Sequence, residues 1–260
     1  MRYDVNLSIL FTELPLLQRA EAAREAGFGA VEFWWPFGTA VPADAEVDAF
    51  VRSIADAGVN LAGLNFFAGD LPTGDRGVVS WPGREREFAD SVEVAVGIAE
   101  QLSCRTFNAL YGNRIEGVDP AAQDELALSN LDFAATAAKR IGATLVIEPL
   151  SGAPRYPLRT AVDALGVIGK TGRDNLALLF DLYHLAVNGD DLDAVIAGHL
   201  EGIGHVQIAD VPGRHEPGTG SLDIEGYLAK LATGGYDGYV GLEYRPSGPS
   251  VESFGWLEDR

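Results

Sequence analysis

The sequence predicts an eight-fold (β/α) barrel, and three observations predict it. Eight short apolar runs recur along the 260 residues, at DVNLSIL, GAVEFWW, VNLAGLNF, CRTFNAL, ATLVIEP, LALLFDL, IGHVQIAD and GYVGLEY. Each is of strand length, and stretches with helical periodicity lie between them. Gly27, Gly58, Gly142, Gly172 and Gly234 stand a few residues ahead of a run, where a left-handed residue closes a helix before a strand begins. Finally, each run carries one polar residue at or near its C-terminal end, on the same parity every time.

That parity is the strongest of the three. Alternate side chains of a strand face the same way, so in TLVIE Leu145 and Ile147 face the helices while Thr144, Val146 and Glu148 face the other side. Applied to the other runs, the rule turns Asn6, Glu32, Asn65, Asn108, Asp181, Gln207 and Glu243 inwards. Successive members lie from 26 residues apart (Asn6 to Glu32) to 43 apart (Asn65 to Asn108), room for a strand, a helix and two loops. A closed TIM barrel is the economical reading, with a ring of polar groups at the C-terminal mouth where such barrels place their active sites. An open doubly wound sheet would leave edges, and no strand here is followed by the glycine-rich phosphate fingerprint.

The clearest helix begins at Asp119-Pro120, an N-cap followed by a proline suited to the first turn. It places Leu126, Phe133, Ala137 and Ile141 on one face and stops at Gly142. Two connections are long and show no helical period, FAGDLPTGDRGVVSWPG after Asn65 and PGRHEPGTG after Gln207; loops of this kind serve as lids or binding loops. Only 17 residues follow Glu243, so a C-terminal helix must be short. No linker or shift of composition divides the chain, and residues 1–260 read as a single domain.

With 38 acidic against 19 basic residues the formal net charge is -19. Such a surface repels phosphate backbones, which excludes nucleic acid and anionic membranes as partners; an anionic small substrate needs a local cation. The single cysteine, Cys104, has no intrachain disulfide partner and reads as a small buried apolar residue. No run approaches the roughly 18 apolar residues of a membrane span. The N-terminal MRYDVNLSILF holds an acid and no cleavage pattern, so a cytoplasmic protein is expected. Aromatic residues near WWPF and FGW would suit an interface between copies.

The chemistry gathers at the last four strands, which end in Glu148, Asp181, Gln207 and Glu243. Neighbouring strands run about 4.8 Å apart, so inward side chains at four adjacent ends converge. Three carboxylates that close repel one another and raise one another's pKa unless a cation neutralises them. One divalent cation is the simplest resolution, and an all-oxygen donor set suits Mg²⁺ or Mn²⁺.

A series of short motifs runs through the chain in a characteristic order: NLSILF (6–11), GAVEFWWP (29–36), NFFAGD (65–70), PGREREF (82–88), IEPL (147–150), FDLYH (180–184), HVQIAD (205–210), EPGTG (216–220) and GLEY (241–244). In these the chain resembles, over essentially its whole length, the hydroxypyruvate isomerase branch of the xylose isomerase-like barrels. The resemblance implies that Glu148, Asp181, Gln207 and Glu243 hold one divalent ion and that Glu148 and Glu243 handle the proton on opposite sides of the substrate. It implies an aldose-ketose isomerisation of hydroxypyruvate to 2-hydroxy-3-oxopropanoate (tartronate semialdehyde) through an enediolate, with no redox cofactor. It also implies that His184 hydrogen-bonds a substrate oxygen and that Arg214 takes the substrate carboxylate.

Glu32 is expected to contact substrate or to orient a neighbour such as His184, and Asn6, Asn65 and Asn108 to donate to substrate oxygens or fill the polar layer. His205, one layer deeper than Gln207, reads as a satisfied core histidine, and Trp34, Trp35, Phe66 and Phe67 as core or interface. Four other activities fit the same fold. A 2-oxo-tetronate isomerase differs by one carbon, and a ketose 3-epimerase typically carries histidine in place of Gln207. An abasic-site endonuclease needs several histidines and a basic face, and a non-catalytic sugar- or metal-binding barrel has no need of both glutamates.

Overall fold

In the computed structural model, which describes residues 1–257, the eight runs close into a parallel barrel in sequence order. The strands are β1 (Arg2–Asn6), β2 (Ala30–Phe33), β3 (Asn60–Asn65), β4 (Thr106–Asn108), β5 (Thr144–Ile147), β6 (Leu176–Asp181), β7 (Ile203–Ile208) and β8 (Tyr239–Leu242). β1 pairs directly with β8, from Arg2 with Tyr239 to Val5 with Leu242, so closure leaves the sheet without an edge. The helices α1 (Arg19–Glu25), α2 (Asp44–Ala57), α3 (Glu85–Leu102), α4 (Pro120–Arg140) and α5 (Ala161–Thr171) each fill one crossover. Between β6 and β7 come α6 (Leu182–Asn188) and α7 (Leu192–His199), and before β8 comes α8 (Ile224–Thr233). A 3₁₀ helix, Ser250–Leu257, stands where a short C-terminal helix was expected. No helix among the described residues is long and apolar enough to cross a membrane.

Strand parity divides the apolar residues as the alternation requires. Leu145, Ile147, Leu178, Phe180, Val206 and Ile208 join the core that the helices cover. The opposite set fills the barrel, where a Cβ on Gly204 would come within 2.7 to 3.3 Å of Ala177, Val146 and Thr144. Cys104 is buried and free, and burial pushes its thiol up to about 12, so the thiolate needed for reactivity is absent at neutral pH.

Three expectations need correction. Gly27, Gly58, Gly142 and Gly172 have the expected positive φ, but Gly234 is right-handed at φ -75 and Gly235 makes the left-handed turn. Gly234 is small for another reason: a Cβ there would lie 2.1 Å from Leu200. The inner face of α4 is also only partly the predicted one, since Ala137 alone of the four residues named is fully buried. Its buried residues include Gln123, Ala127, Asn130, Leu131, Ala134 and Ala138, whereas Phe133 is 40% exposed and Leu126 and Ile141 are half-buried.

Alanines let α4 lie close on its neighbours, and the two buried amides have work of their own. Gln123 Nε2 donates to Ser80 O (3.0 Å) and Asn113 O (3.2 Å), and Asn130 Nδ2 donates to Val79 O (2.8 Å). Both hold down the long connection after β3, whose Val78, Val79 and Ser80 are buried. That middle stretch is therefore a packed strut and not a free lid. The aromatics near both motifs make contacts within the chain. Phe254 of FGW packs on Phe11 and Phe28, Trp256 meets Tyr3 edge-on, and Trp35 contacts Phe37.

The reassigned face of α4 gives a direct test in urea denaturation. Leu131→Ala, at a fully buried position, is expected to cost about 2–5 kcal/mol, and Phe133→Gln under about 1 kcal/mol. The reverse order would restore the face predicted from sequence.

Candidate active site

The C-terminal mouth gathers the polar residues that parity turned inwards. Asp181 pairs with Gln207 in register and Gln207 with Gly241, which sets the ends of β6, β7 and β8 side by side. Glu148 and Glu243 are the first residues beyond β5 and β8. All four are buried. Asp181 also caps α6, its Oδ1 accepting from the backbone N–H of Tyr183 (2.8 Å) and His184 (3.2 Å), so the helix start fixes its orientation.

The acids crowd as expected. Burial first, then the charges of Glu243 and Asp181, push the Glu148 carboxyl well above the ordinary range, although Asn108 Nδ2 donates to it at 2.6 Å. Burial likewise lifts Glu243 to about 7, with Asp181 and Glu32 adding to the lift and Arg214 opposing it. Arg214 Nη2 bonds Glu243 Oε2 and stands 3.8 Å from Asp181 Oδ2, one cationic nitrogen between two acids.

Arg214 reaches that place from a loop knotted around one buried carboxylate. Asp210 accepts from the backbone N–H groups of Val211, Gly218, Gly220 and Leu222 at 2.8 to 3.0 Å, and its own carbonyl accepts from Arg214 N. Gly220 is needed for this closure, since a Cβ would lie 2.1 Å from Val211 O.

His184 is neutral and its tautomer is defined. The backbone N–H of Ser151 donates to Nδ1 at 3.0 Å, which leaves the proton on Nε2, 3.6 Å from Asp181 Oδ2. Burial, with Arg214 and Arg76 acting against Asp181, lowers its pKa to about 4. A ligand atom each of Glu148, Asp181 and His184 lies within 4.8 Å of the others, but an Nε2 that carries its proton is a donor and has no lone pair for a metal.

Below this layer sits a second one. Glu32 accepts from His205 Nε2 (2.7 Å), Gln207 Nε2 (2.7 Å) and Asn6 Nδ2 (3.0 Å). Burial opposes a charge on His205, yet Glu32, with Asp4 and Glu243 behind it, lifts its pKa to about 9. Asp4, fully buried and held well above the ordinary carboxylate range by burial and by Glu32, completes the group; its ligand atoms lie within 4.8 Å of those of Glu32 and His205. Glu32 therefore orients Gln207 and Asn6 and does not orient His184, and both of its oxygens are taken. Asn6 is likewise committed, donating to Glu32 and Glu243 (2.9 Å) and accepting from Ser8 N. Asn65, 8% exposed at the end of β3, makes no side-chain hydrogen bond among the described residues.

The donor chemistry fits a divalent cation. Gln207 Oε1 is buried without a hydrogen-bond partner among the described residues, as an amide oxygen reserved for a ligand would be, and Glu148, Asp181 and Glu243 add only oxygen.

Nothing in the linear sequence marks several residues that the structure brings in. Trp34, expected as core or interface, donates Nε1–H to Glu243 Oε1 at 2.6 Å. Ser151 sets the His184 tautomer through its backbone, Asp210 was legible only as part of HVQIAD, and Arg76 acts on His184 from the loop after β3. Trp34 shares the parity of Glu32, but Ser151, Asp210 and Arg76 lie off the strand parity that found the others.

Comparison with known proteins adds to this picture. A family model described as xylose isomerase-like TIM barrel matches residues 20–260. A Streptomyces coelicolor protein provisionally named hydroxypyruvate isomerase is 56% identical, over 98% of this chain and 95% of its own. The hydroxypyruvate isomerase of Escherichia coli is 32% identical (99% and 98% covered) and the 2-oxo-tetronate isomerase of Cupriavidus necator 35% (99% and 97%). The crystal structure of a Brucella melitensis protein named AP endonuclease, family 2, superposes with a TM-score of 0.91 at 36% identity, covering 99% of this chain and 98% of that one.

The two buried histidines are expected in opposite charge states at pH 7. Long-range ¹H–¹⁵N spectra should show His205 as an imidazolium that loses its proton only near pH 9, and His184 as the neutral Nε2–H tautomer down to about pH 5. A His184 that titrates near 6.5, or a neutral His205 at pH 7, would contradict the assigned electrostatics.

Proposed function

This chain belongs to the hydroxypyruvate isomerase family of xylose isomerase-like TIM barrels, and from its geometry we propose that it interconverts hydroxypyruvate and 2-hydroxy-3-oxopropanoate with one divalent cation, Mg²⁺ or Mn²⁺, held by Glu148, Asp181, Gln207 and Glu243. The observation that carries this reading is the convergence of three buried acids beside an amide oxygen with no protein partner among the described residues.

When bound, such an ion draws electron density from the carbonyl and hydroxyl oxygens of a substrate, which acidifies the neighbouring C–H bond. The chain's own residues do the rest. β5 and β8 stand three places apart in the ring of eight strands, so Glu148 and Glu243 approach a substrate from different sides. One carboxylate takes a proton from the hydroxymethyl carbon, and the other returns one to the former carbonyl carbon. The hydroxyl proton passes to the former carbonyl oxygen, so the enediolate collapses with no net change in oxidation state. His184 Nε2–H donates to a substrate oxygen. Arg214, whose Nη1 has no partner among the described residues, offers a guanidinium to the substrate carboxylate.

The kinship to a 2-oxo-tetronate isomerase supports a four-carbon substrate as the rival, since one added carbon leaves the acids, the amide and the arginine in the same use. The endonuclease activity in the Brucella protein's name is not carried over: a net charge of -19 repels a phosphate backbone. The two site histidines are likewise engaged in other roles.

Glu148→Gln and Glu243→Gln are each expected to lower kcat by about 10²- to 10⁴-fold while the variants fold normally by circular dichroism. Removing divalent ions with a chelator should abolish turnover, and Mg²⁺ or Mn²⁺ should restore it. Comparing kcat/KM for hydroxypyruvate and 2-oxo-tetronate ranks the substrates. Full activity in either variant, or in metal-stripped protein, would sink the reading.

A further inference from the structure

We propose that Glu32 is a positioning residue that holds the Gln207 amide nitrogen and so leaves the amide oxygen free for a cation. The proposal rests on the cation site put forward above and assigns a role to the buried layer beneath it.

The two ends of a glutamine amide are nearly the same shape, so hydrogen-bond partners decide which way it points. Gln207 Nε2 lies 2.7 Å from Glu32 Oε1 and 3.3 Å from Glu243 Oε1. Carboxylate oxygens accept and an amide oxygen has nothing to donate, so the reversed amide would set oxygen against oxygen at both contacts. Gln207 Oε1 is left buried with no partner among the described residues, an orientation that is costly by itself and useful for an oxygen-ligated cation.

Glu32 is built in as a fixed part. Its Oε2 accepts from His205 Nε2 at 2.7 Å and its Oε1 also accepts from Asn6 Nδ2 at 3.0 Å. Asn6 also donates to Glu243 at 2.9 Å. The space it occupies is made by two glycines inside strands, where glycine otherwise weakens a sheet. A Cβ on Gly63 would lie 3.2 Å from Glu32 Oε2, and one on Gly241 would lie 2.7 Å from Glu32 Oε1 and 3.0 Å from Gln207 Cγ. A shift of register between Val31 and Glu32 brings Gly63 beside Glu32.

The test is a double-mutant cycle read by Mn²⁺ affinity, from the free-ion electron paramagnetic resonance signal of metal-stripped protein. Wild type, Glu32→Ala, Gln207→Ala and the double variant are titrated. Each single change is expected to weaken binding about 10- to 100-fold, and the double variant should bind no more weakly than Gln207→Ala alone, because Glu32 acts through Gln207. Glu32→Asp separates positioning from charge, since it keeps the carboxylate but withdraws it by one methylene. It should lose affinity in the wild-type background and change nothing beside Gln207→Ala, and it serves in the cycle if Glu32→Ala does not fold. Losses that multiply in the double variant, or wild-type affinity in Glu32→Asp, would overturn the positioning role. Wild-type protein that binds no Mn²⁺ would instead remove the cation reading on which the role rests.

Discussion

Negative charge crowded into a buried barrel mouth is the constraint on which the rest of the site depends. Glu148, Asp181 and Glu243 end neighbouring or nearby strands, with Glu32 directly below, and buried carboxylates do not share so small a volume without compensation. The structure answers with positive charge and donors from specific directions. Arg214 is delivered between Glu243 and Asp181 by a loop folded on Asp210, and His205 holds Glu32 from beneath. Trp34, Asn6 and Asn108 direct their N–H groups at the glutamates. The divalent ion proposed above belongs to the same logic: it would be the compact charge that lets the acids stay ionised together.

Much of this was legible in the sequence because strand geometry is strict. A period of two allows only one face for each residue, so the parity of Glu148 predicted where Glu32, Asp181, Gln207 and Glu243 would point, and all of them are buried inside the barrel, Glu32 one layer below the rest. Helical faces were less legible. α4 buries alanines and the amides of Gln123 and Asn130, and a search for large apolar side chains picks Phe133, which faces outwards. Close packing needs small residues and the loop needed donors, neither of which leaves a hydrophobic signal.

Partner choice was not legible either. Glu32 sat on the expected face, yet its bonds to His205 and Gln207 join residues 173 and 175 positions away, set by barrel closure and by two glycines that make room. Asp210 and Ser151 act by organising backbone N–H groups, a use that motif spelling does not show. What the family resemblance added was the roles proposed for the two glutamates; what the structure added was the layer of bonds that fixes the Gln207 amide.

The central claim is that this mouth moves a proton between adjacent carbons of a small hydroxy-oxo acid. A proton NMR time course in D₂O, with metal-stripped protein reloaded with Mg²⁺ or Mn²⁺ and given hydroxypyruvate, tests it most directly. The account predicts metal-dependent formation of 2-hydroxy-3-oxopropanoate with deuterium at the carbon that receives the proton. Neither product nor exchange, with the ion shown to be bound and the four-carbon acid equally inert, would contradict it.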